Sequence, residues 1–119
     1  MVTAEQFRIT TREVVAERPE YVYTIPETDD PGEDFCKYVH GDEPGCVIGH
    51  VCHRLGVPLD ELAKREGQAA ADVVAQVLGI TSPSVLAFAG DLQWRQDCGE
   101  PWGVALARAE NYSPTKVVV

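Results

Sequence analysis

Residues 82–101 read SPSVLAFAGDLQWRQDCGEP, and this stretch decides the fold class. Ser82 is a helix-capping residue, and Pro83 suits the first helical position, where an amide hydrogen would have no partner. Val85, Phe88, Ala89 and Leu92 recur at helical spacing, and Gly99 stops the run. The spacing predicts a helix to about Asp97. Pro101 opens another, which Ser113-Pro114 closes.

The same punctuation runs upstream. Asp42 is positioned to cap a helix over 44–55 that Gly56 ends. Pro58 opens a short helix with Asp60 and Glu61 in its first turn, where the helix dipole favours acids, and Gly67 ends it. Residues 69–78 make a further helix stopped by Gly79. At the start of the chain, Thr3 and Gln6 have the spacing of a capping box, and Pro19 limits that helix to about 4–18. Two segments break the helical pattern. Tyr21-Val22-Tyr23-Thr24-Ile25 is rich in β-formers and ends at Pro26, and residues 35–39 supply a second strand to pair with it. Between them, residues 27–34 carry five acids without the residue order of a calcium loop. Two strands alone are marginal, so this hairpin must rest on helices. The expected fold is α+β and mostly helical: four to five short helices packed with a small antiparallel β-hairpin. Residues 1–114 form a single compact domain, with 115–119 a frayed tail or an edge strand.

A chain of 119 residues, 45% hydrophobic and 24% charged, suits one globular domain with a modest core. Its net charge of -9 repels phosphate backbones, and its ten Lys and Arg form no basic stripe, so nucleic acid is not an expected partner. No apolar run approaches the roughly 18 residues of a membrane span, and the first residues lack the basic start and apolar core of a signal peptide. A cytoplasmic location follows, where the thiols stay reduced.

Three of the four cysteines and all three histidines lie in 36–53, CKYVHGDEPGCVIGHVCH. On a helical wheel over 44–55, Val47, Ile48, Val51, Cys52 and Leu55 form one apolar face. Cys46, His50 and His53 gather on the opposite face. Cys52 therefore reads as a small core hydrophobe. His50 and His53 read as polar surface residues, with Cys36 and Cys46 packed against the strand pair. The alternative is a structural zinc site using Cys46 and His50, at i, i+4, with Cys36 or His40. Cys46 and His53 are about 10 Å apart along the axis, too far to share one ion with His50.

On the helix over 83–97, Trp94 falls almost opposite the apolar side, together with Asp91. Either the helix is buried on both faces or Trp94 marks a contact surface, where large aromatics are enriched. Gln96 falls on the apolar side, against the pattern. Trp102 shares a face with Ala105, Leu106 and Ala109 and reads as a core anchor. Gln93, Gln96 and Asp97 near one helix end suggest a small-ligand pocket. No nucleophile elbow, phosphate loop, dinucleotide fingerprint or zinc-protease motif is present, so no catalytic residue, metal ligand or cofactor is assigned.

Residues 44–59, PGCVIGHVCHRLGVPL, and 93–109, QWRQDCGEPWGVALARA, resemble a family of small actinobacteriophage (mycobacteriophage-like) proteins with relatives in actinobacterial genomes. In that family an apolar residue is common where this chain has Cys52, which agrees with a core role. The resemblance implies a phage product acting in the host cytoplasm and carries no activity, cofactor or catalytic residue. The resulting expectation is a non-enzymatic interaction module for a host or phage protein, or for a second copy of itself, with Trp94, Asp91, His50 and His53 as its contact residues. A zinc-stabilised domain built on the 36–53 cluster is the alternative.

Overall fold

In the computed structural model the described residues are 2–24 and 37–111. They form α1 (Ala4–Glu17), β1 (Val39–His40), β2 (Glu43–Pro44), α2 (Val47–Arg54), α3 (Leu59–Ala63), α4 (Ala70–Leu78), α5 (Pro83–Asp97) and α6 (Trp102–Asn111). The fold is α+β and mostly helical, as its punctuation indicates. The capping box is in place, with the Thr3 hydroxyl accepting from the Gln6 amide and the Gln6 side chain accepting from the Thr3 amide. The segment closing α6 and the tail over 115–119 lie outside the described residues.

Helix α2 is the hub. It packs on α1, α4, α5 and β2. Val47, Ile48, Gly49, Val51 and Cys52 are all buried, a broad inner side that leaves His53 and Arg54 exposed. Gly49 is required there, because a Cβ would run into the Tyr38 carbonyl. Around α2 gather Phe7 and Val14 from α1, Val73 and Val74 from α4, Phe88 and Leu92 from α5, and Trp102 from α6, in one apolar cluster.

The hairpin is smaller than expected and sits elsewhere. Val39 pairs with Pro44 and His40 with Glu43, antiparallel. Extended pairing continues through Gly45 N–H to the Tyr38 carbonyl and Cys46 N–H to the Lys37 carbonyl, both 2.9 Å. Residues 21–24 form no strand, despite their β-formers. Their backbone is engaged by α6 instead. The carbonyls of Pro19 and Tyr21 accept from Gly103 N–H at 2.8 Å and Trp102 N–H at 2.9 Å. These are first-turn amides of α6, which need outside acceptors. Gly103 allows this close approach, since a Cβ would stand 3.0 Å from the Pro19 carbonyl oxygen. The remainder of the expected hairpin, 25 and 35–36, lies outside the described residues.

Helix α2 also starts later than its sequence suggests, because Glu43 and Pro44 belong to β2. Asp42 is therefore not its cap; Cys46 takes that position without a side-chain hydrogen bond. None of the described helices is long and apolar enough to cross a membrane.

Candidate functional site

Helix α5 presents two different faces. Its inner face buries Val85, Phe88, Ala89 and Leu92, together with the polar side chains of Gln93 and Gln96. The glutamines replace the side-chain cap that α2 lacks. Gln96 Oε1 accepts from Val47 N–H at 2.7 Å, and Gln93 Oε1 accepts from Ile48 N–H at 3.4 Å. Gln96 Oε1 also accepts from Trp102 Nε1 at 3.2 Å, while its amide nitrogen donates to Asp97 Oδ1 at 2.8 Å. A buried amide serving three groups at a helix junction explains why a polar residue lies on an apolar stripe.

With the inner face so occupied, Trp94 is turned outward and is 59% exposed. It stands at the edge of an open cleft of about 390 Å³ between α5 and the chain leading into α4. Tyr38, Gly90, Gln93 and Asp97 line the cleft, and 67–71 form its far wall. The far wall is tied down, since the Tyr38 hydroxyl donates to the Gln68 carbonyl at 2.6 Å. Tyr38 is in turn fixed through its backbone amide, which donates to Glu66 Oε1 at 2.7 Å. At Gly90 nothing lies within 4 Å of where a Cβ would stand, so this residue keeps the α5 wall low. Asp97 is the one carboxylate among the described residues lining the cleft.

Of the four contact residues read from sequence, only Trp94 lines this cleft. The Asp91 side chain is 11% exposed and pairs with Arg95, Oδ2 to Nε at 2.7 Å, so it orients Arg95 rather than offering an open carboxylate. The Arg95 guanidinium lies 5.7 Å from the Trp94 ring centroid. His50 is half-buried on α2, edge-on to Trp102 with centroids 5.4 Å apart. Its Nε2 is 3.3 Å from Arg18 Nη2, a donor, so that nitrogen accepts and the ring is neutral. Burial, and then the charges of Arg18 and Arg54, pull His50 down from 6.5 to about 4. His53 is exposed, with Nδ1 3.1 Å from the Val57 carbonyl, which it meets as a donor.

The residues of the alternative zinc reading do not gather among the described residues. Cys46, which shares a wheel face with His50 and reads from sequence as packed against the strand pair, is fully buried at the start of α2, its amide bonded to the Lys37 carbonyl. His40 Nε2 is 2.8 Å from the Tyr23 hydroxyl. Cys36 lies outside the described residues, and among those described no group of three or more His, Cys, Asp or Glu is placed to hold a metal. Cys52 is a core residue, its thiol pushed up to about 12 by burial.

Of the three residues expected around a pocket, Gln93, Gln96 and Asp97, two reach the cleft. Gln93 and Asp97 line it, while Gln96 is used up inside. Sequence reasoning misses Tyr38 and 67–71, because nothing local links them to α5. Comparison with protein-family models, curated proteins and solved structures finds no match to this chain. What the cleft does must follow from its own chemistry.

Proposed function

We propose that this chain is a non-enzymatic interaction module that holds a protein partner at the Trp94 cleft. One observation carries the reading: a tryptophan 59% exposed at the lip of a concavity whose walls are already fixed by internal hydrogen bonds. A large aromatic left in water forgoes the stabilisation of burial, and such residues dominate binding energy when a partner covers them. The commitments of the histidines fit the same reading. His40 meets Tyr23, His50 meets Arg18 and Trp102, and His53 meets the Val57 carbonyl. None of the three lines the cleft. Asp91, His50 and His53 then support the fold rather than the contact.

The resemblance of 44–59 and 93–109 to small actinobacteriophage proteins directs the partner search to host or phage proteins of the actinobacterial cytoplasm. The test is affinity capture from actinobacterial lysate with wild type and Trp94→Ala side by side. A specific protein held by wild type and reduced about 30-fold or more with Trp94→Ala is the expected result, as for an aromatic hot spot worth about 2 kcal/mol. Equal capture by both proteins would remove the cleft from the contact.

A further inference from the structure

We propose that residues 18–21 are an acid-released clasp over the start of α6, held shut by the neutral ring of His50 and opened locally when that ring gains a proton. This goes beyond the contact at Trp94 and does not depend on it. Two backbone bonds close the clasp: the Pro19 carbonyl accepts from Gly103 N–H at 2.8 Å and the Tyr21 carbonyl from Trp102 N–H at 2.9 Å. Over them lies a stack of side chains. The Arg18 guanidinium is 4.6 Å from the Tyr21 centroid and 5.2 Å from that of Trp102, and the Tyr21 ring meets Trp102 edge-on at 4.8 Å. Arg18 Nη2 then donates to His50 Nε2 at 3.3 Å, which ties the stack to α2.

That last bond exists in one protonation state. Nε2 accepts from Arg18 through its lone pair; an imidazolium carries N–H at both ring nitrogens, and a guanidinium accepts nothing. Protonation therefore sets donor against donor and charge against charge at 3.3 Å. The surroundings do not relieve it. On the ring act Arg18 and Glu17 from the end of α1, and His53 and Arg54 from α2, while α6 offers the uncharged Trp102 ring. Glu17 is the one carboxylate among these groups, and Arg54 engages it through two bonds of 2.6 and 2.7 Å. The relief left is movement of Arg18, which is exposed and can turn to water. Its departure takes the cation off both rings and one tie off the clasp.

The clasp is also a part that can open by itself. Arg18, Pro19 and Glu20 are exposed and Tyr21 is half-buried, so release gives up little apolar burial. Trp102 stays anchored by its Nε1 bond to Gln96 at 3.2 Å, and α6 by buried Ala105 and Ala109. His50 lies at about 4 in the closed form against an ordinary 6.5, so the open form takes up protons more readily. The clasp is at its tightest above pH 6.5 and loosens as pH falls toward 4. At pH 5 this shift allows about a 30-fold gain in opening, and screening of the part-exposed ring brings it to roughly tenfold.

The experiment is native-state amide exchange on the whole chain at pH 7 and pH 5, with and without urea below the unfolding midpoint, read as protection over the intrinsic rate at each pH. The Trp102 and Gly103 amides should be less protected than that of Leu92 in the core of α5, and indifferent to urea while Leu92 responds. From pH 7 to pH 5 their protection should fall roughly tenfold in wild type and less than about twofold in His50→Gln. Arg18→Gln supplies a second variant, since a side-chain amide can turn to accept from the protonated ring. It should also remove the pH effect, and the NMR titration midpoint of His50 should rise above that of wild type. A urea response parallel to that of Leu92 would show global unfolding and overturn the clasp. So would equal protection at the two pH values, or a pH effect that survives in His50→Gln.

Discussion

Trp94 and Trp102 are eight residues apart and have opposite surroundings. Trp102 is fully buried, with Tyr21 at 4.8 Å and His50 at 5.4 Å on its ring, the Arg18 guanidinium at 5.2 Å, and its Nε1 donating to Gln96. Trp94 is 59% exposed, with Arg95 against it and the cleft beside it. An indole is buried at low cost only where its N–H finds an acceptor and its ring finds close neighbours. The described residues build that setting once, from the 18–21 segment, α2 and α5. The second indole has no comparable enclosure, and the simplest physical use of its open face is contact with another molecule.

The comparison predicts a wide gap in stability. Trp102→Ala should cost about 3–5 kcal/mol, the range for emptying a large aromatic site, and should lower the midpoint in urea accordingly. A cost below about 1 kcal/mol would mean the enclosure is loose and would break the contrast. Next in size is Gln96→Leu, which keeps the volume but leaves Val47 N–H and Trp102 Nε1 without their acceptor. Orphaned buried donors make this a loss of roughly 2–3 kcal/mol in the same assay. Gln93→Leu should cost less, because its bond to Ile48 is longer at 3.4 Å.

How much of this is legible in the sequence depends on the distance over which each signal acts. The capping box at Thr3 and Gln6, the Ser82-Pro83 start of α5 and the core faces of α5 and α6 are local, and the helices form where those signals say. The β-formers at 21–24 are an equally local signal and mislead, because Pro19 and Tyr21 are recruited by amides at 102 and 103. The start of α2 misleads for a related reason: a two-residue strand overrides a plausible cap at Asp42. The anomaly of Gln96 on an apolar stripe is visible in the sequence, but its partners at 47 and 102 are not. The cleft is the least legible feature. It joins residue 38, the stretch 67–71 and α5, and no periodicity relates these segments.

The enclosure of Trp102 can also be tested through pH, with a smaller effect. His50 has a folded value of about 4 against 6.5 in the unfolded chain, so between these values the unfolded state binds more protons. Stability is then fully present above pH 6.5 and falls as pH drops toward 4. With allowance for the ring's partial exposure, the loss over this window is on the order of 1–2 kcal/mol. Denaturation in urea at pH 7 and pH 5 measures it, and His50→Gln should flatten the slope. Glu17, held low by its hydrogen bond to Arg54, acts below 4.5 and so below the pH range of this assay. An unchanged slope in His50→Gln would show that Arg18 and Trp102 do not hold the ring neutral.

The smallest stability effect belongs to Trp94→Ala, and its size is what gives the contrast functional meaning. The side chain is mostly in water, so its removal should change unfolding free energy by less than about 1 kcal/mol, as exposed substitutions do. Fluorescence supplies an independent readout from the same sample. These are the two tryptophans of the chain, one enclosed and one solvated. Trp94→Phe should therefore move the emission of the folded protein toward shorter wavelength, leaving the apolar signature of Trp102, and should abolish quenching by added iodide. If Trp94→Ala instead costs several kcal/mol and iodide quenches neither ring, Trp94 is enclosed in solution and the open cleft with it. If stability holds and quenching resides in Trp94, the indole is dispensable to the fold, and its open face is free for a contact the fold itself does not make.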